Sequence, residues 1–204
     1  MPAFKLPSSP IAEAALSAAR DDEHPSLFNH SVRSYWHARL MAEKEGVLGQ
    51  LSEDLLFAAT MLHEMGAGAK APGRERFEIE GADIAAGTLL GIGVCDSDVQ
   101  QVWDAIALHT SAGLAERRGV LPRIVRAGIL ADFVQAPEES RSFQADLHAG
   151  WPRMKLETVL VDSIIARAQG AAALPHYGMP GVLVHERTAH GITDTERAAR
   201  ELGW

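Results

Sequence analysis

The sequence predicts an all-α fold built as one helical domain. Two observations carry that expectation. Between Gly- and Pro-rich breaks, apolar residues recur three and four apart, the period of a helix with one buried face. One segment, Leu55-Leu56-Phe57-Ala58-Ala59-Thr60-Met61-Leu62, runs apolar on every side, which marks a helix buried all round. The only candidate strand is Val182-Leu183-Val184.

Residues 1–9, with Pro2 and Pro7, read as an extended tail. Ser9-Pro10 then supplies a cap and a first-turn proline for a short Ala-rich helix over 11–21. A second helix runs from Pro25-Ser26 to about Lys44 on the spacing of Phe28, Val32, Tyr35, Trp36 and Leu40, and His30, Arg33 and His37 share another stripe of it. Ser52-Glu53-Asp54 opens the apolar helix with acids at its positive end, and Gly66 is placed to end it. Residues 67–76 are loop by composition. The next helix, over 77–90, carries Gly81, Ala82, Ala85, Ala86 and Gly87, small enough for close approach to a neighbour.

Ser97 with Gln100 forms a capping-box pattern for the following helix, whose Val99, Val102, Trp103 and Ile106 face inward together with His109. Pro122 sits at a helix start, and Leu121, Val125, Gly128 and Ile129 draw an apolar stripe on which Asp132 also lies. Helices are expected over 137–148 and, through Leu156, Val159, Leu160, Ile164 and Ile165, to about Gln169. Residues 171–192 mix Gly, Pro and His without a clean period and read as loop, before a last short helix capped by Thr193-Asp194-Thr195-Glu196. The expected organisation is a tail (1–9), a helical domain (10–170) and a C-terminal loop and short helix (171–204) packing on it.

At 204 residues the chain can bury a substantial core. A net charge of -8 argues against nucleic acid or a membrane surface as partner, since both call for excess Lys and Arg. A small-molecule substrate is the better expectation, and a homo-oligomer stays open. Cys95 is the one cysteine, so neither an intrachain disulfide nor a Cys-based zinc site can form. The start MPAFKLPSSP has no apolar run of signal length, and no run approaches the ~20 residues that span a bilayer. A cytoplasmic protein is expected.

His63 and Glu64 follow the buried helix directly. A carboxylate desolvated there costs several kcal/mol unless compensated, and a divalent cation or a buried Arg would compensate it. His30 and Asp132 also fall at inward or helix-terminal positions. Two imidazoles and two carboxylates suit Zn, Mn, Fe or Ni and suit Ca poorly.

Five phrases in order, NHSVRSYWHA, the apolar run into MLHEMG, RFEIEGADIAA, VWDAIALHTSAG and GILADF, span about residues 24–136. Together they resemble the HD-domain metalloenzyme superfamily, and more narrowly its cyanamide hydratase-like branch. The second residue of the family's His-Asp pair is Glu64 here, and the added methylene can move the carboxylate by ~1.5 Å. The resemblance implies a bundle of about seven or eight helices around one divalent transition ion, zinc first and iron, manganese or nickel next. The implied ligands are His30, His63, Glu64 and Asp132, with Glu64 alternatively a general base.

His109 matches the family's downstream histidine, suited to proton transfer or substrate contact; the alternative is a core histidine bonded to a backbone carbonyl. Arg33 is placed to orient Asp132 or an anionic substrate, Asp104 to fix a ligand histidine, and Phe77, Trp36 and Trp103 to wall a pocket. His24, His148, His176, His185 and His190 carry no motif, and His37 reads as a surface or groove residue. The implied activity is a metal-dependent hydratase or hydrolase that adds activated water to a small C≡N or C–N substrate. The alternatives are a phosphohydrolase acting on a nucleotide or phosphate ester, an iron-dependent oxygenase, and a catalytically altered HD protein.

Overall fold

The computed structural model describes residues 4–170 and 178–204. Ten α-helices stand among them: α1 (Pro10–Asp22), α2 (Pro25–Lys44), α3 (Glu53–Leu62), α4 (Phe77–Gly91), α5 (Asp96–Ala107), α6 (Val120–Ala131), α7 (Arg141–Gly150), α8 (Leu156–Gly170), α9 (Gly178–His190) and α10 (Asp194–Glu201). No strand occurs among the described residues, so the all-α expectation holds with more helices than the seven or eight expected.

The largest departure is α9. It takes up most of the expected 171–192 loop, including Val182-Leu183-Val184, while 171–177 lie outside the described residues. Pro180 sits in its first turn, where the missing N–H costs nothing. Of α9 only Pro180 and Leu183 are buried, so the sequence shows no apolar stripe to read.

Helix α3 is the centre of the core. Ser52 caps it by accepting from Leu55 N, and all of residues 55–62 are buried against α1, α2 and α5. It stops at Leu62 without help from Gly66, which instead lies in a short turn (Met65–Ala67) resting on the start of α4. A Cβ on Gly66 would fall 1.7 Å from Phe77 O, and one on Gly81 3.0 Å from Gly66 N. These two glycines therefore let the segment after His63-Glu64 press onto α4. Gly87 has nothing within 4 Å and plays no such part.

A second close crossing joins α2 to α6, where a Cβ on Gly128 would stand 2.4 Å from Ala38 Cβ. That approach carries the end of α6, and with it Asp132, to the middle of α2.

Two boundaries differ from expectation. Helix α5 begins at Asp96 with Cys95 as its cap and no side-chain capping bond, so Ser97 lies inside the first turn. Helix α7 begins at Arg141, after a 3-10 turn over Glu138–Ser140. The Thr193–Glu196 segment caps α10 as expected, and does so through a capping box. Leu27, Phe77, Leu156, Leu160 and Leu183 make a smaller apolar cluster that fastens α8 and α9 to α2 and α4. Among the described residues no helix is long and apolar enough to cross a membrane.

Candidate metal centre

The last turn of α3 leaves carbonyls without helical partners. His63 Nδ1 lies 2.7 Å from one of them, Thr60 O. A carbonyl only accepts, so Nδ1 carries a proton and Nε2 is the ring atom left to present a lone pair. The same logic fixes His30, whose Nδ1 faces Asp132 Oδ2 at 2.7 Å. The two Nε2 atoms thus confront each other at 3.2 Å with no proton between them.

Glu64 Oε1 joins them, 3.3 Å from His63 Nε2 and 3.9 Å from His30 Nε2. Its other oxygen, Oε2, is buried without a partner. Burial raises this carboxyl; protonated rings at His63, His109 and His30 would outweigh that and hold the pKa at about 2, so the carboxylate calls for positive charge at the point it faces. Three buried acceptors are therefore aimed at one point, an arrangement that repels itself unless a cation stands there. Ligands ~2.0–2.1 Å from a tetrahedral zinc lie about 3.3 Å apart, close to the separations seen. His30, His63 and Glu64 fit a divalent ion in spacing and in donor chemistry.

Asp132, implied as the fourth ligand, is placed differently. It stands behind His30, outside that three-residue group, with both oxygens engaged. Arg33 Nε donates to Oδ1 at 2.8 Å and Nη2 to Oδ2 at 2.7 Å, while His30 Nδ1 takes Oδ2. Arg153 adds Nη1 to the Asp132 carbonyl at 2.7 Å. Burial alone would raise this carboxyl; the neighbouring His148, His30 and Arg33 overcome it and hold the pKa well below the ordinary carboxylate value. The arrangement is a carboxylate orienting a histidine from behind, which fixes the tautomer of His30 and makes its Nε2 a better donor to a metal.

His109 lies past the end of α5, buried, with its ring centroid 5.1 Å from that of His63 and 5.6 Å from that of Phe77. Its Nδ1 donates to Ile106 O at 2.6 Å, leaving Nε2 as an acceptor. Burial lowers its pKa to about 4, so the ring is neutral. Both sequence readings meet here: the ring bonds a backbone carbonyl and also stands beside the centre. Phe77 is buried against it.

Glu64 and His109 together close the inner end of a cavity of about 470 Å³ that runs out between α6, α8, α9 and α10.

Three expected residues stand elsewhere. Trp103 is half-buried, with Nε1 bonded to Asp83 on α4. Asp104 pairs with Arg118 and accepts from Gln100, neither of them a histidine. Trp36 packs edge-to-face with Phe4 and Tyr35. Trp36 shares α2 with His30 and Arg33, and Trp103 and Asp104 lie on α5 shortly before His109.

Other residues had no sequence signal. Arg153 holds the Asp132 carbonyl and Glu157 and lies over the Trp204 ring at 3.9 Å. Glu78, fully buried, accepts from Thr110 and Arg76 beside His109. His37 and His148, read as peripheral, bring their Nε2 atoms to 3.8 and 3.9 Å from Asp132 Oδ1.

Residues 27–161, more than half of the chain, match the HD domain family. The chain belongs to the HD domain family. HD domains bind divalent metals and are typically metal-dependent hydrolases, and the matched stretch contains the His30, His63 and Glu64 group. A search of curated proteins finds no match.

Proposed function

We propose that this HD-domain protein is a metal-dependent hydratase or hydrolase that adds water to an uncharged C≡N or C–N substrate, in the manner of the cyanamide hydratase-like branch it resembles. The observation that carries the reading is the convergence of three unopposed acceptors, His30 Nε2, His63 Nε2 and Glu64 Oε1, of which Glu64 lines a cavity together with His109. These side chains would hold the ion, zinc by donor type, with iron, manganese or nickel also accommodated. When bound, such an ion supplies Lewis acidity and lowers the pKa of water.

The chain's own groups do the rest. Asp132 and Arg33 keep His30 in the tautomer that presents Nε2. Thr60 O does the same for His63. His109, neutral and with Nε2 free to accept, is placed to take a proton from the attacking water and return it to the substrate nitrogen. Glu64 Oε2, unpartnered, offers a second acceptor for that proton.

A phosphohydrolase is the second reading, favoured by Arg126 at the cavity wall. Against it, phosphate recognition calls for converging cations, and Lys70, Arg74 and Arg76, the basic residues of the 67–76 loop, do not line the cavity. Zinc-loaded protein incubated with cyanamide and simple nitriles should release urea or amide. Turnover no greater than that of Glu64→Ala sinks the hydratase, and phosphate release from nucleotides or phosphate esters establishes the second reading instead.

A further inference from the structure

The family match stops at residue 161, inside α8. Much of the cavity wall lies beyond it. Ile164 of α8, Met179 and Leu183 of α9 and Ala199 of α10 face the same space as Phe133 and Leu160. The volume of about 470 Å³ falls in the range of ~300–1,000 Å³ typical of small-molecule sites. A substrate as small as cyanamide would leave most of it unfilled.

Charge in the cavity is sparse and largely spoken for. Arg126 is the one guanidinium or ammonium among the described lining residues. Its Nε is bound to Glu116 at 3.0 Å, and its Nη1 donates to the His109 carbonyl at 3.0 Å. Glu157 is paired with Arg153, and Thr110 donates to Glu78. The remaining charges, Glu64 and Asp194, are negative. An anionic ligand would lose its hydration among aliphatic side chains with little return, whereas an apolar body gains from each buried methylene.

We infer that α8, α9 and α10 make the site selective for an uncharged molecule with an apolar body, its polar reacting end lying at Glu64 and His109. The position of the reacting end rests on the function proposed above; the apolar selectivity of the cavity does not. Substrate choice is then set largely by a part of the chain outside the HD match.

The test is binding of fluorinated probes, followed by fluorine NMR on the full chain with and without zinc. Para-fluorobenzamide should bind in both forms, at least about tenfold more tightly than para-fluorophenyl phosphate. Ala199→Trp, which places an indole in the cavity, should weaken the amide at least about tenfold while far-UV circular dichroism and zinc uptake stay as in the parent. Leu183→Ala enlarges the cavity and should shift preference toward fluoronaphthamide over the benzamide by about threefold or more. This second variant decides the matter if Ala199→Trp does not fold.

Phosphate binding as tight as the amide overturns the inference, as does a folded Ala199→Trp that binds the amide unchanged, or an unshifted preference in Leu183→Ala. Amide binding blocked by Ala199→Trp with no hydration of any nitrile leaves the cavity assignment standing and removes the proposed reaction.

Discussion

Glu64 and Asp132 are both fully buried carboxylates within reach of His30, yet their surroundings are opposite. Asp132 receives two bonds from Arg33 and one from His30. Glu64 faces two bare imidazole nitrogens and keeps Oε2 without a partner. The satisfied carboxylate belongs to the fold, because its charge is compensated by the chain itself. The unsatisfied one is open to compensation from outside the chain, which is what the proposed metal would supply. Substitutions on the two sides should therefore fail differently.

The largest effect is expected on the Asp132 side. Arg33→Met leaves Asp132 buried with one of its cations gone, a change that costs roughly 3–5 kcal/mol when a buried pair is broken. Urea unfolding of metal-free protein measures it. A loss under about 1 kcal/mol, the level of an exposed pair, would mean that Arg153 and His148 suffice and that the contrast between the two carboxylates is false.

On the Glu64 side the effect should appear only with metal. Zinc at a hundred times its dissociation constant should stabilise the parent by about 2.7 kcal/mol. Glu64→Gln and His63→Ala should lose most of that increment while their metal-free stability changes far less than that of Arg33→Met. Glu64→Asp recreates the family's usual pair and separates reach from charge: retained zinc stabilisation shows that the shorter side chain still touches the ion. Equal zinc-induced shifts in the parent and His63→Ala, read by calorimetry, would dismiss the three-residue centre.

Next comes the crossing that brings the two sides together. Gly128→Ala sets a methyl against the Ala38 backbone, whose Cα and N both lie 2.6 Å from the added carbon. Overpacking of this kind costs ~1–3 kcal/mol. Since the same crossing delivers Asp132 to α2, zinc affinity should fall together with stability. A stability loss with unchanged affinity would uncouple the crossing from the centre.

The same contrast explains what the sequence could disclose. The buried helix and the pair that ends it are legible because an all-apolar segment leaves its terminal polar residues conspicuous, whereas His30 is singled out by the family resemblance. The position of Asp132 on an inward stripe was legible too, but its place behind His30 depends on Arg33 reaching across from α2, and no spacing encodes that pairing. Trp103 and Asp104 stand on α5 shortly before His109 yet bond to Asp83 and Arg118, since successive residues of a helix face different sides. Arg153 and Glu78 escaped notice because a buried charge looks in sequence like any surface charge. Helix α9 escaped because it buries only two residues, and a helix without a stripe resembles a loop.

The smallest expected effect lies at α10, which helps wall the cavity. Glu196 closes the capping box, accepting from Thr193 N and Oγ1 at 2.9 Å each, and its other oxygen takes Arg187 Nη2 at 2.9 Å. Burial would raise this carboxyl, but the bonds from Thr193 and Arg187 outweigh it and set the pKa below its ordinary 4.5. A depressed folded value means the contribution is complete above about 4.5 and fades as the pH falls through the lower folded value. Thr193→Ala removes the cap and should cost about 1 kcal/mol at neutral pH. The difference between this variant and the parent should shrink in acid as Glu196 protonates and the parent loses the same bonds. Because α10 carries Ala199, binding of the neutral amide should weaken along with the cap. A difference between parent and variant that stays constant from neutral pH to well below 4.5 would show that the capping box holds α10 without help from the Glu196 charge.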